Sequence, residues 1–455
     1  MDLEIEFRTG TSLRRQLEDA LRVAIRSGRL GPGSVLPPSR DLAEQLGVSR
    51  GVVVDSYAQL GTEGYLSARR GSATRVASLA TAGRPPERRQ VSAAQRFRYD
   101  LRPGQADYHA FPRARWKAEL LRALRELPDI RLGYADHRGV AELRNAVAGY
   151  LARARGVVTE PGHVVICCAA SHALTVLWQA LRAQGGRRVA VEDPGWRWQR
   201  LTVEHAGLEA VPVRVDGDGL VVSELAAADV DAVVMTPAHH YPTGVVMTAE
   251  RRGALIAWAR ERGALIVEDD YDVEYRFGRD PVASLQGLAP DLVAFVATTS
   301  KTLAPALRLA WLVPPSHLID DVENALLVTG VTPPTLDQVA MASFIEDTGL
   351  ERHLRSMRRR YRAKRDVLVG ELARHLPAVR VSGTAAGLHV LAWLPDGADE
   401  HATAMRARRS GVGLHELHRH CTIQAPSAPA LLLGFALPTE SELITATRLL
   451  AEAVG

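Results

Sequence analysis

Only three lysines occur in the 455 residues, Lys117, Lys301 and Lys364, so chemistry that needs a primary amine has few places to reside. Lys117 lies in the amphipathic KAELLRALREL and Lys364 in the strongly cationic RRRYRAKRDVLV; both read as surface residues. Lys301 differs. In ATTSKTLAPALRLAWLV it follows an apolar run and is flanked by small hydroxyl residues, a setting where a desolvated amine suits Schiff-base chemistry. Thr298, Ser300 and Arg308 around it supply donors and a positive charge for a phosphate. Asp269, in ALIVEDDYD, is expected at the carboxyl edge of a sheet, where it can pair with a protonated pyridine nitrogen. Tyr271 can donate to a phenolic oxygen of the same ring, and Trp196, in VEDPGWRW, offers a flat face to stack on it. Ala170, Ser171 and His172, between a strand and a helix, would present backbone N–H groups to a phosphate.

Each residue alone has a plainer explanation as a core aromatic, a helix cap or an ion-pair member; their joint occurrence carries the argument. His172, His239 and His240 do not read as a metal cluster, because adjacent histidines without carboxylate partners are a poor ligand set.

These residues need elements to position them. Short apolar runs (HVVICC, RRVAVE, DAVVMT, ALIVED, LVAFVAT) alternate with helical patterns such as ALTVLWQALRA and AERRGALIAWARERG, which argues for an α/β sheet covered by helices. After about residue 330, long helices and the short strands LHVLAWL and ALLLGFA suit a smaller α+β lobe.

The first 77 residues follow other rules. Leu13, Leu17, Leu21 and Ile25 mark one stripe of a helix ending by Gly28. Ser39 can cap a second helix that closes at Gly47, and Ser49 a third with Val53, Val54, Tyr57 and Leu60 inward. Two short helices joined by Gly47-Val48-Ser49 have helix-turn-helix proportions, and YLSARRGSATRVA reads as a two-stranded wing. Arg50 would enter the major groove, while Arg40, Arg69 and Arg70, with Gly71 at the wing turn, would meet phosphates. Residues 1–97 hold 15 Arg against 10 Asp or Glu, or +5, in a chain of net +4; the remainder is therefore −1. A basic head on a near-neutral body suits a polyanionic partner, double-stranded DNA, although an arginine-rich docking module has the same composition. Residues 78–97, without apolar period, read as a linker.

Cys167, Cys168 and Cys421 are odd in number and form no CxxC, so neither a disulfide framework nor a zinc site is indicated. No apolar run reaches membrane length and MDLEIEFRTG is not a signal peptide; a cytoplasmic setting is expected.

Residues 11–77 resemble the GntR-type winged helix through LPPSRDLAEQLGVSR, VVVDSYAQLGTEGYL and RRGSATRV, with Ala73 where that family usually has glycine. Residues 98–455 resemble the fold-type I aminotransferases through GYADHRGVAELRNAVAGYLARARGV, EDPGW, TPAHHYPTG, VEDDYD and TSKTLAPALRLAW. The resemblance implies pyridoxal 5'-phosphate as cofactor, a mostly parallel central sheet, a large lobe over about 150–325 and a small lobe over about 98–140 and 330–455. It implies Lys301 as the internal aldimine, Asp269 at the pyridine nitrogen, Tyr271 at the phenolic oxygen, and Trp196 stacked. Ala170, Ser171, His172, Thr298, Ser300 and Arg308 would hold the phosphate, with Tyr134 reaching that of a neighbouring subunit. Tyr241 stands where many relatives use asparagine.

The combination is similar to the MocR/GabR regulators, which implies a homodimer, possibly domain-swapped, that senses an amine, an amino acid or the cofactor itself. A working aminotransferase with a fused head stays open, since Lys301 is retained. Against efficient transamination, TIQAPSAPALLLGFA lacks the arginine expected to fork onto a substrate carboxylate; Arg197, Arg200 or Arg419 are candidate substitutes.

Overall fold

A computed structural model describes residues 5, 7, 10–68, 73–78, 97–278, 283–423 and 428–454. It resolves into two compact units, Met1–Gln95 and Arg96–Gly455.

In the first unit, α1 (Leu13–Arg26), α2 (Ser39–Leu46) and α3 (Arg50–Thr62) precede an antiparallel pair, β1 (Leu66–Ser67) and β2 (Arg75–Val76). Leu17, Leu21 and Ile25 are buried against Leu42, Val53, Leu60, Leu66 and Val76, while Leu13 stays exposed. Ser49 caps α3, its Oγ accepting from the Val52 N–H at 3.4 Å. Ser39 does not cap α2: Pro38 occupies that position in extended backbone, Ser39 is the first helical residue, and Asp41 supplies negative charge to the first turn. Val54 is exposed rather than inward. Ser56, three residues after Val53, takes the buried place, and its hydroxyl donates to the Arg14 carbonyl at 3.4 Å.

The second unit opens with β3 (Tyr99–Asp100), α4 (Arg113–Glu126) and α5 (Ala141–Arg155). Strands and helices then alternate: β4 (Val165–Cys167), α6 (Ala170–Ala183), β5 (Arg188–Asp193), α7 (Arg197–His205), β6 (Glu209–Asp216), β7 (Gly219–Leu220), α8 (Val222–Ala227), β8 (Ala232–Met235), α9 (Ala249–Arg262), β9 (Leu265–Asp270), β10 (Val293–Thr298), the single turn α10 (Thr299–Thr302) and β11 (Ala310–Val313). The eight strands pair in the order β4-β11-β10-β9-β8-β5-β6-β7. Strands β10, β9, β8, β5 and β6 are parallel; β11 runs against both β10 and β4, so β4 points the same way as the parallel set. The carboxyl ends of β4, β5, β8, β9 and β10 therefore share one edge, where ligands of α/β sheets bind. Strands β8, β9 and β10 are fully buried, as expected of a sheet covered by helices on both faces.

After α11 (Ile319–Thr329), α12 (Thr335–Glu346) and the long α13 (Gly349–His375) come β12 (Arg380–Ser382), β13 (His389–Trp393), α14 (Glu400–Arg409), β14 (Val412–Gly413), β15 (His415–Glu416), β16 (Ala430–Gly434) and α15 (Glu440–Val454). Strands β12, β13, β16 and β15 form a smaller antiparallel sheet, and β14 pairs with β3.

Lys117 is exposed, but Lys364 is not a surface residue. It is only 3% exposed, and its Nζ donates to Asp107 Oδ2 at 2.8 Å and to the Ala436 carbonyl at 2.7 Å. The reason is its register. Leu350, Leu354, Met357, Tyr361, Lys364, Leu368 and Leu372 fall three or four residues apart and form the inward stripe of α13, so the arginines around Lys364 describe the opposite face.

Candidate functional site

The carboxyl edge of the large sheet surrounds a cavity of about 490 Å³. The turn after β4 brings Ala170 and Ser171; the turn after β5 brings Trp196 and Arg197. Thr236 and Tyr241 follow β8, Asp269 and Tyr271 lie at the end of β9, and Thr298, Ser300 and Lys301 follow β10. Lys301 is held in α10, whose start is fixed by the Thr298 hydroxyl accepting from the Ser300 N–H at 3.2 Å. Its Nζ donates to the Gly104 carbonyl at 2.6 Å. Burial pulls the amine's pKa down, against the raising influence of the Asp272 and Asp269 carboxylates.

Asp269 is 2% exposed. Its Oδ2 accepts from Gln199 Nε2 at 2.9 Å, and its Oδ1 is buried with no partner among the described residues. Burial pushes this carboxyl up to about 7, although the Gln199 bond favours the charged form. A desolvated carboxylate oxygen without a donor is unfavourable unless something cationic meets it. Tyr271 sits beside it, with its hydroxyl 3.1 Å from His239 Nδ1, which also lies 3.1 Å from Asp272 Oδ1. Gly387 permits this cluster to close: its φ is +78°, and a Cβ there would lie 2.1 Å from His239 Cε1 and 2.6 Å from Asp272 Oδ2.

The opposite wall is aromatic and imidazole-rich. Tyr241 meets Tyr271, His389 and His420 edge-on, with ring centroids 6.2, 5.3 and 5.2 Å away. Burial lowers His389 and His415 to about 4 and His420 to about 3, so this wall is uncharged at neutral pH. Arg197 and Arg419, both exposed, are the cations of the lining besides Lys301.

Several predicted residues fall outside the lining. His172 turns Nδ1 back to accept from the Cys168 N–H at 3.2 Å, and its Nε2 is buried with no partner among the described residues. Arg308 is exposed at the end of a turn, in left-handed backbone with φ 52°, and does not line the cavity; its positive charge reaches Cys168 and His172. Arg200 points elsewhere, 3.8 Å from Glu204 one turn on in α7. Tyr134 is fully exposed and outside the cavity. His172, His239 and His240 are engaged separately, His240 with Thr243 at 2.6 Å.

Sequence reasoning missed Gln199, Asp272, His389, His415 and His420. Asp272 and His239 lay inside quoted motifs without a role, whereas Gln199 and the three histidines carry no local signal. In the first unit, Arg40 and Arg50 are exposed at the starts of α2 and α3, with Arg50 Nε 3.4 Å from the Ser39 hydroxyl. Ser49 is exposed as the cap of α3. Arg69, Arg70 and Gly71 lie outside the described residues.

Comparison with known proteins agrees with both units. Residues 101–412 match the family described as aminotransferase class I and II, and residues 13–76 that described as bacterial regulatory proteins, gntR family. The chain is 33% identical over 384 residues to the HTH-type pyridoxine biosynthesis transcriptional regulator PdxR of Corynebacterium glutamicum, covering 84% of this chain and 83% of the relative. It is 33% identical over 445 residues to the probable rhizopine catabolism regulatory protein MocR of Rhizobium meliloti, covering 93% and 90%. Among solved structures, an archaeal alanine:glyoxylate aminotransferase superposes with a TM-score of 0.71 at 25% identity, over 79% of this chain and 91% of the other.

Proposed function

We propose a function from the premise that this chain belongs to the aminotransferase class I and II family, among the HTH-type transcriptional regulators headed by a gntR winged helix. It is a pyridoxal phosphate-dependent regulator that grips operator DNA with its head and senses a small amine or amino acid in the cavity of its body. The observation that carries this reading is Lys301 sharing a cavity with the partnerless Oδ1 of Asp269.

The residues present fit the cofactor. A protonated pyridine nitrogen is the cationic donor that the buried Asp269 oxygen lacks, and the start of α6 offers N–H groups to a phosphate. When bound, pyridoxal phosphate supplies a carbonyl carbon open to primary amines and a ring that draws electrons from it. Around that group, Trp196 and Tyr241 bound the ring's space, Tyr271 orients toward the phenolic oxygen, and Ala170, Ser171, Thr298 and Ser300 donate to the phosphate. Lys301 Nζ, whose pKa burial lowers, can hold or release a proton beside that group. Gln199 keeps Asp269 aimed, and His239 keeps the Tyr271 hydroxyl in place. At the mouth, Arg197 and Arg419 can meet a ligand carboxylate. Tyr134, exposed in one chain, is proposed to reach the site of a second, which makes the working unit a homodimer, with the head of one chain crossing to the body of the other. Arg40, Ser49 and Arg50 face the DNA. Among the described residues no helix is long and apolar enough to cross a membrane, and the proposed setting is the cytoplasm.

The test is the visible spectrum of the full chain with pyridoxal phosphate, titrated with amines and amino acids while binding to duplex DNA from its own promoter region is followed. A band that shifts and persists, with altered DNA affinity, identifies a sensor and its ligand class. A band that decays and recovers on adding a keto acid identifies a working aminotransferase instead.

A further inference from the structure

Helix α13 carries a second feature that the cavity does not use. Arg352, Arg355, Arg358, Arg359 and Arg362 line one groove on its outer side, with no carboxylate in the lining among the described residues. Arg352, Arg355, Arg359 and Arg362 recur at intervals of three, four and three residues, which places them on one stripe of the helix. All four are exposed. Arg358 donates from Nε and Nη2 to the Glu274 carbonyl at 3.0 and 2.9 Å, and Arg362 to that of Phe277 at 3.0 Å, so carbonyls fix their forks without neutralising them. The guanidinium groups of Arg355 and Arg359 have no hydrogen bond or ion pair among the described residues. The acids of α13 are engaged elsewhere: Glu351 with Arg153, Asp366 with Arg365, Glu371 with His375.

The charge count sets this helix apart. Residues 349–375 hold 9 Lys or Arg and 3 Asp or Glu, or +6, while residues 98–455 sum to −1; the rest of the body is therefore −7. A strip of uncompensated positive charge on an otherwise acidic body is retained against self-repulsion and is a surface for a polyanion. From Arg352 to Arg362 the helix rises about 15 Å. One strand of a duplex presents about four phosphates over that distance, at about 3.4 Å each, and guanidinium forks suit phosphate oxygens.

We propose that this arginine face of α13 is a second duplex-DNA contact, to backbone phosphates and without sequence preference, in addition to the head. The inference rests on the reading of the chain as a DNA-binding regulator. The experiment uses the full cofactor-loaded chain and a labelled mixed-sequence 60-base-pair duplex, with the dissociation constant measured against NaCl concentration. Each phosphate contact contributes about 0.9 to the slope of log affinity against log salt. Arg355→Ala/Arg359→Ala is expected to reduce that slope by about one to two, with the cofactor spectrum unchanged, and Arg355→Lys/Arg359→Lys to restore most of it. Arg40→Ala/Arg50→Ala is measured in parallel. If only the head variant lowers the slope, the α13 contact is wrong and the regulator reading stands. If the wild-type chain binds neither this duplex nor its promoter DNA, the regulator reading fails and takes the α13 contact with it. A slope lowered by the alanine pair and unrestored by the lysine pair also overturns the proposal, because a phosphate contact needs only the charge.

Discussion

One lysine of the body is buried and another half-buried, and their surroundings differ in one respect. Lys364 donates to a carboxylate: Asp107 Oδ2 receives both its Nζ and Arg360 Nε, at 2.8 and 2.7 Å. Burial would raise Asp107, but those two cations outweigh it and hold its carboxyl below the ordinary range. Lys301 instead donates to a neutral carbonyl, with the nearest carboxylates acting only at a distance. The same side chain is a fastener in one place and, on the proposed reading, a reagent in the other. What decides is whether a carboxylate closes the hydrogen bond. A buried ion pair fixes its members, whereas a desolvated amine on a carbonyl keeps a lone pair within reach of an electrophile.

The largest effect should come from removing the reagent. Lys301→Ala is expected to abolish covalent attachment of the cofactor, read as loss of the mass increment that borohydride fixes on the wild-type chain. Its thermal unfolding without cofactor should stay near that of wild type; a chain that still fixes cofactor would equate the two lysines. Lys364→Ala should do the reverse. It leaves Asp107 buried with the half-exposed Arg360 alone, and loss of one partner of such a pair costs about 3–5 kcal/mol, measurable by urea titration, while the folded fraction retains its cofactor band.

Asp269 sharpens the contrast from the carboxylate side. Its folded pKa, near 7, lies above the 3.8 of an ordinary, solvated aspartate. Below that lower value both folded and unfolded forms are protonated. Above it the unfolded chain ionises first, so apo-protein stability falls as pH rises through the window from about 4 to about 7. At about 1.36 kcal/mol per pKa unit, Asp269→Asn should stabilise the apo protein at pH 8 by at most about 4 kcal/mol while weakening cofactor retention. An apo protein whose pH–stability curve is unaltered by Asp269→Asn would show that the carboxylate already has a partner. The smallest effect belongs to the head. Ser49→Ala removes the cap of α3 and should cost about 1 kcal/mol of head stability, read by thermal unfolding.

The same contrast shows what the sequence makes legible. Lys301, Asp269, Tyr271 and Trp196 were readable because each closes a strand or turn in a short, ordered motif, and the sheet order delivers those turns to one edge. The head was readable because its helices and wing follow one another along the chain. Gln199 was not: its role exists only because α7 folds back until its first turn touches the end of β9. His389, His415 and His420 come from the smaller lobe, which no local pattern ties to the cavity. Lys364 misled because a dense run of arginines hides the three-and-four spacing that carries it inward. Arg308 was expected at the phosphate on motif position; it does not line the cavity, though its charge reaches the start of α6.

The cavity draws its lining from turns spread between Pro103 and His420, joined by strands whose neighbours in the sheet are distant in the chain. Such a site is absent from any partly folded body, so the cofactor binds the native form and hardly at all its precursors. At a free concentration one hundred times its dissociation constant, a ligand of that kind adds about 2.7 kcal/mol to folding. Chains folded without the cofactor are then expected to lack that margin, which thermal unfolding with and without pyridoxal phosphate would read. On the proposed reading, cofactor supply would then set how much folded regulator survives, separately from any effector it senses.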